Sequence, residues 1–418
     1  MSKKSEKAEE YYNLGAAYSI GDGVKQDYNM AFSYYLAAAK KGHAEAQYAV
    51  GYHYAAGQVV SQSYEMAFKW FSLAAKQGHI EAINELGVFY VKGRACKQDV
   101  KKAAKLYQQA VDGGCTRAYF NLAVLYENGG GVEKDGKEAA RLYRLAADAG
   151  YTWGLTRLAA MYETGNGVPV DTNKAIELYQ EAIEKGEENA QFRMGEILFT
   201  MGDDDPKYYD EAAYLLKLAA DQNHAEAQAR LGGCYQFGFG VKEDHDEAFR
   251  WYKRAADNGN GDGQCFVGLA YYDGDGVKKD VYKAVEWFKK AARGGNPMAQ
   301  YMLACCWERD EGGLVRNQYE IAKLYLASAE QGYTKAQGSI ASCYYNGHGV
   351  KRNYKEAVSW AMLAAEKGSA KGQTILGLCY LDGLGIKKSY YDAIRLFRLA
   401  AGNGDRAAML ILRDLGVK

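Results

Sequence analysis

Small and large apolar positions recur along this chain with a period of 36 residues. Written from Ala8 in lines of that length, the columns align. Eleven units begin at Ala8, Ala44, Ile80, Thr116, Thr152, Glu188, Ala225, Gly261, Pro297, Thr334 and Ala370, two of them carry one extra residue, and the last ends at Asp405. Self-similarity at a fixed period marks a stacked repeat architecture and takes precedence over any domain count from length.

Each unit carries two helical patterns. Column 8 is Gly or Ala in all eleven units, from Gly15 to Gly377, so two backbones nearly touch there. Column 11 is Tyr in nine units, and column 7 is usually large and apolar, as in Leu14, Leu86 and Leu231. The spacing 7, 8, 11 is one buried face of a helix, termed helix A. Columns 14 to 17 read Gly-x-Gly-Val in units such as Gly21–Val24 and Gly165–Val168, a pair of glycines suited to stopping a helix and turning the chain. A second pattern follows, with Ala in column 24 of ten units and a bulky pair one turn later, such as Trp70-Phe71 or Trp287-Phe288. This is helix B, closed by Gly in column 35 of ten units.

The consensus A-x-A-x-x-x-L-G-x-x-Y-x-x-G-x-G-V followed by K-A-x-x-W-Y-x-x-A-A-x-x-G resembles the Sel1-like repeat family, relatives of the tetratricopeptide repeats with a longer inter-helix turn. The resemblance covers residues 8–405. It implies an all-α fold, a right-handed α/α superhelical solenoid with helix A on the concave face and helix B on the convex one. It also implies a scaffold or adaptor that binds other proteins. Residues 1–7 read as a polar tail and 406–418 as a capping helix A, with Ala408 and Leu412 in the apolar slots and Arg413 in the Gly/Ala column as a stop. Stacked repeats bury one another's apolar faces, so ends need capping.

Two units depart from the pattern. In 188–224 the glycine turn becomes Met201-Gly-Asp-Asp-Asp-Pro206, and in 297–333 it becomes Glu308-Arg-Asp-Glu-Gly-Gly313. Tolerated loop variation is the expected reading, because changing a surface loop's length costs little. The Asp run lacks the spaced ligands of a calcium loop, so no metal is assigned.

Composition sharpens the picture. The 48 glycines fall mostly in the turn and contact columns, and with 48% hydrophobic residues they mean punctuation, not flexibility. Lys+Arg and Asp+Glu both number 52, interspersed, which argues against nucleic acid as a partner. No apolar leader or 18-residue apolar run is present, so the expectation is a cytoplasmic protein without membrane insertion.

Chemistry is sparse. His43-Ala-Glu45, His79-Ile-Glu81 and His224-Ala-Glu226 imitate half of a zinc-deaminase signature, but all three straddle the same repeat boundary and no Pro-Cys-x-x-Cys accompanies them. Cys234, Cys306, Cys343 and Cys379 share column 10 of helix A, too far apart in stacked repeats to form disulfides. Cys265 and Cys305, in columns on the concave side, are the candidates for exposed thiols. There is no Ser-x-x-Lys, Walker lysine, His-Glu-x-x-His or Gly-x-Ser-x-Gly. The expectation is no catalysis, no cofactor and no metal.

By analogy with tetratricopeptide arrays, columns 2, 5, 9 and 12 of helix A face a groove. They offer aromatic anchors for a protein or peptide ligand: Tyr12, Tyr48, Tyr52, Phe120, Phe192 and Tyr301, among acidic residues such as Glu127, Glu163, Glu196 and Glu308. Packing between adjacent A helices is the competing use of those rings. A self-assembling structural array is the alternative function.

Overall fold

The computed structural model describes residues 3–417. They form 23 helices, α1 to α23 in chain order, and no strand. Odd-numbered helices are the A helices and even-numbered ones the B helices. The second repeat is typical: α3 (Ala44–Ala56), a turn over 57–63, then α4 (Tyr64–Lys76). The A helix starts agree with the sequence columns at Ala44, Ile80, Thr116, Ala225, Gly261, Pro297, Thr334 and Ala370. The first helix, α1 (Lys3–Ile20), begins ahead of Ala8 and takes in the charged residues before it.

Local chemistry sets the ends of each helix. Column 14 glycines take the left-handed conformation that stops helix A; Gly57 has φ +69° and its N–H returns to the His53 carbonyl at 2.9 Å. Column 20 then caps helix B. Asp27, Ser63, Asp99, Asp135 and Asp171 each accept a hydrogen bond from a backbone N–H two or three residues on. Such a cap is worth about 1 kcal/mol.

Within a repeat the two helices meet at column 8. A Cβ at Gly51 would sit 2.7 Å from the Phe71 ring, and one at Gly232 would sit 2.6 Å from the Tyr252 ring, so glycine lets the column 28 aromatic lie flat on helix A. Phe71 is 1% exposed, and full burial of such a ring contributes about 1.5–3 kcal/mol. Between repeats the contact is made by column 16. Gly349, in the turn of the tenth repeat, lies against the Gln318 carbonyl that opens the helix B of the ninth, α18 (Gln318–Glu330). Gly131, Gly240, Gly276 and Gly385 make the same approach to the helix B before them.

The helices gather into two compact units, Met1–Met194 and Gly195–Lys418. The division falls inside α11 (Glu188–Gly202), the A helix of the irregular sixth repeat. From the first helix to the tenth and from the twelfth to the last, each helix packs on the next. The last helix, α23 (Arg406–Asp414), buries Ala408 and leaves Arg413 in solvent. Among the described residues no helix is long and apolar enough to cross a membrane.

Candidate functional site

The histidines at the repeat boundaries build the first part of the site. His43 precedes α3 and accepts the Ala46 N–H on Nδ1 at 3.2 Å, while its Nε2 donates to Glu9 of the preceding repeat at 3.0 Å. His79 repeats this ahead of α5 (Ile80–Lys92), with Ala82 at 3.2 Å and Glu45 at 3.1 Å. These are helix caps tied to the neighbouring repeat, and the His-x-Glu resemblance is a by-product of the phase. Each imidazole also carries a tyrosine. Tyr12 stacks on His43 with ring centroids 4.5 Å apart, and Tyr48 on His79 at 4.7 Å.

Those two rings, together with Tyr52, line an open groove of about 850 Å³ over the first two repeats. Tyr28 and Tyr35 from α2 (Tyr28–Lys40) complete its aromatic lining, and Glu45 is its charged residue. Tyr52 and Tyr28 are 49% and 53% exposed. His53 also lines the groove, against Phe32, Tyr35 and Tyr52, and its enclosed Nδ1 has no hydrogen-bond partner. Burial pushes the His53 pKa below the usual imidazole value, so the ring is neutral at pH 7.

The other three expected anchors are placed differently. Phe120, on α7 (Thr116–Asn128), is half-buried among Tyr143, Tyr151 and Trp153 with centroids 5.2 to 6.4 Å away. Tyr301 packs on Tyr325 at 5.6 Å and Tyr333 at 5.4 Å. Phe192 is half-buried on α11. The acidic residues of column 12 are also engaged. Glu127 accepts from the Tyr143 hydroxyl at 2.6 Å and from Arg157 of the next repeat at 2.7 Å, and Glu163 does the same with Tyr179 and Arg193. Glu308 takes the Tyr325 hydroxyl at 2.8 Å. Glu127 and Glu163 thus tie a helix B to its own helix A and to the following repeat, and Glu308 ties helix B to its own helix A.

Cys265 corrects an expectation. It is 1% exposed, and burial pushes its thiol up to about 12. Its column faces the next A helix here instead of solvent. All eight cysteines are free, and Cys305 is half-buried beside the Tyr325 hydroxyl at 3.6 Å. The irregular turn of the ninth repeat packs inward. Leu314 is buried with Val285 and Phe288, and Arg309 and Glu311 both bond the Tyr272 hydroxyl, at 2.7 and 2.8 Å. In the other turn Asp203 accepts from Tyr209 at 2.6 Å and Asp205 pairs with Lys207. Among the described residues no three His, Cys, Asp or Glu side chains converge to hold a metal ion.

Sequence reasoning missed His53, Tyr28, Tyr35 and Glu45 as neighbours of the expected tyrosines. One signal was present: column 10 is apolar in the other repeats, with Phe89, Leu125 and Met161 buried there in the third, fourth and fifth.

The repeat phase, the paired helices and the boundary caps agree with one family. The Sel1 repeat matches eleven times, over 11–43, 44–79, 80–115, 116–151, 154–187, 189–224, 225–260, 261–296, 297–333, 334–369 and 370–405. The chain belongs to the Sel1 repeat family. Among solved Sel1 repeat structures, a protective antigen of uropathogenic Escherichia coli displaying an SLR fold is 28% identical. That match covers 98% of this chain and 87% of the antigen, with a TM-score of 0.62. A Sel1 repeat protein from Oxalobacter formigenes is 25% identical over 83% of this chain and 89% of its own, with a TM-score of 0.43. No curated protein matches the chain.

Proposed function

We propose that this Sel1 repeat protein is a non-catalytic scaffold that holds a segment of a partner protein on its helix A face, with the groove of the first two repeats as the docking point. Sel1 and tetratricopeptide-like arrays typically serve as protein-interaction scaffolds. The observation that carries the reading is the convergence of Tyr12, Tyr48 and Tyr52 on one open groove of about 850 Å³. Aromatic side chains with polar tips, held rigid before the partner arrives, are the commonest anchors of protein interfaces. Stacking on the capping histidines supplies that rigidity for Tyr12 and Tyr48.

The test is partner capture by the full chain from its native cell, read by mass spectrometry, against the double variant Tyr48→Ala with Tyr52→Ala. Captured proteins should drop out with the variant while helical circular dichroism stays unchanged. Undiminished capture would move the docking point off this groove. Self-association is the second reading, drawn from Leu399, Met409 and Leu410, each 46 to 49% exposed on the last two helices. A molar mass by light scattering that does not rise with concentration would dismiss it.

A further inference from the structure

The groove's chemistry says what its occupant carries. Five phenol rings surround it, and Glu45 is the charged side chain among its described lining residues. Glu45 is 58% exposed on its side chain, and Glu9, 60% exposed, adds a second negative charge beside Tyr12. Each carboxylate accepts from one capping imidazole, Glu9 from His43 and Glu45 from His79, and keeps its outer face toward solvent. The cations nearby are otherwise occupied. Arg117, which reaches the Tyr48 hydroxyl at 3.4 Å, is paired with Glu85 at 3.1 Å, and Lys7 and Lys41 lie over the Tyr11 ring, which does not line the groove.

We infer that the groove receives a lysine or arginine side chain from an extended segment of a partner polypeptide. This rests on the reading of the groove as the docking point. The negative faces of aromatic rings attract a cation, most strongly where water is partly excluded. A carboxylate at the rim adds a charge-assisted hydrogen bond. An acidic segment meets the opposite conditions, since Glu45 and Glu9 repel it and no lining residue answers its charge. Neutral His53 adds no positive charge to oppose an incoming cation. It also breaks the apolar rule of column 10 with an unpartnered ring nitrogen, a local cost of the kind that marks functional positions.

The test uses the full chain with tyrosines isotopically labelled, titrated with three capped hexapeptides of alternating leucine with arginine, citrulline or glutamate. Tyrosine resonances are followed by NMR and affinities are measured by calorimetry. The arginine peptide should shift Tyr12, Tyr48 and Tyr52 and bind about tenfold more tightly than the citrulline peptide, one cation–π or charge-assisted contact's worth. Glu45→Gln, at an exposed position, should weaken the arginine peptide several-fold and flatten its salt dependence. Tyr48→Phe should keep the binding and Tyr48→Leu should lose it, because the ring face and not the hydroxyl acts. Equal affinity for arginine and citrulline peptides, or an unaffected Glu45→Gln, overturns the cationic preference while the groove stands as a docking point. Absence of a saturable tyrosine shift with all three peptides overturns the inference, and the capture experiment with Tyr48→Ala and Tyr52→Ala then decides the groove separately.

Discussion

A methyl group placed at two equivalent glycines separates the cost of a strained backbone from the cost of prising two repeats apart. Gly23 and Gly349 both occupy column 16, with φ of +67° and +72°. At Gly23, in the first repeat, an added Cβ would meet nothing within 4 Å; at Gly349 it would land on the Gln318 carbonyl of the preceding repeat. An L-residue in the left-handed region costs about 1–2 kcal/mol, offset by about 0.4–1 kcal/mol because alanine restricts the unfolded chain. Gly23→Ala should therefore lower stability by about 1 kcal/mol. Gly349→Ala carries the same strain plus a forced backbone shift of about 1–3 kcal/mol, the usual range for overpacking, or about 2–4 kcal/mol in all. Repeat arrays open at their weakest joint, so amide hydrogen exchange in α18 and in α19 (Thr334–Asn346) is the sensitive assay, alongside urea unfolding followed at 222 nm. An added 2 kcal/mol corresponds to roughly 30-fold faster exchange through that opening. Ala95 already holds φ +56° at the same column in the third repeat, and Val59 fills that column in the second, so some joints accept a side chain there. Equal losses for the two variants would show that every joint can relax in that way, and would refute the argument that column 16 glycines set the inter-repeat distance.

Three further outcomes follow from the same structure. His53→Leu should raise the thermal midpoint, since it removes an enclosed ring nitrogen without a partner and is worth about 1 kcal/mol; an unchanged or lower midpoint would mean the imidazole is satisfied. His245 lies between Glu243 at 2.8 Å and Asp275 at 2.6 Å, and the hydrogen bond to Glu243 holds its pKa above the usual imidazole value. Its stabilising effect is therefore complete below the unfolded histidine pKa and fades as pH rises through the folded one. The difference in urea midpoint between the wild-type chain and His245→Gln should shrink from pH 6 to pH 9, and a difference that grows would contradict the pairing. Iodoacetamide at pH 8 should modify Cys96 and Cys305, both half-buried, well before Cys265 and Cys234, whose thiols burial pushes up to about 12; mass mapping of the folded protein reads the order.

The repeat was legible because it is written eleven times. Column 8 glycines, column 11 tyrosines and the paired turn glycines fix the phase so tightly that A helices begin at the residues expected of them, such as Ala44 and Ile80. Tyr12, Tyr48 and Tyr52 share a groove, and their columns brought them together. What the columns did not disclose is which neighbour covers a given side chain. Cys265 and Phe120 occupy columns expected to face a groove, yet Cys265 is enclosed by Phe288 and the adjacent repeat, and Phe120 is half-buried because Tyr151 and Trp153, at the start of the next helix A, pack against it. Glu127 and Glu163 look like groove charges in the sequence and act as tethers, since their tyrosine partners lie 16 residues away on helix B and their arginine partners 30 residues away in the next repeat. Pairings at those separations depend on how helices cross, which a single column does not encode.

The histidine caps make the array editable. His43 and His79 each face forward to a backbone N–H three residues on and backward to a glutamate 34 residues earlier, Glu9 and Glu45. Excision of residues 44–79 would set His43 directly before Ile80, with Ala82 within its reach and Glu9 still behind it. The seam left by such an excision has the same bonds as the one it replaces. Gain or loss of this repeat by unequal recombination thus leaves no scar at the junction, and the array can change length here while the joint that remains keeps the bonds of the one removed.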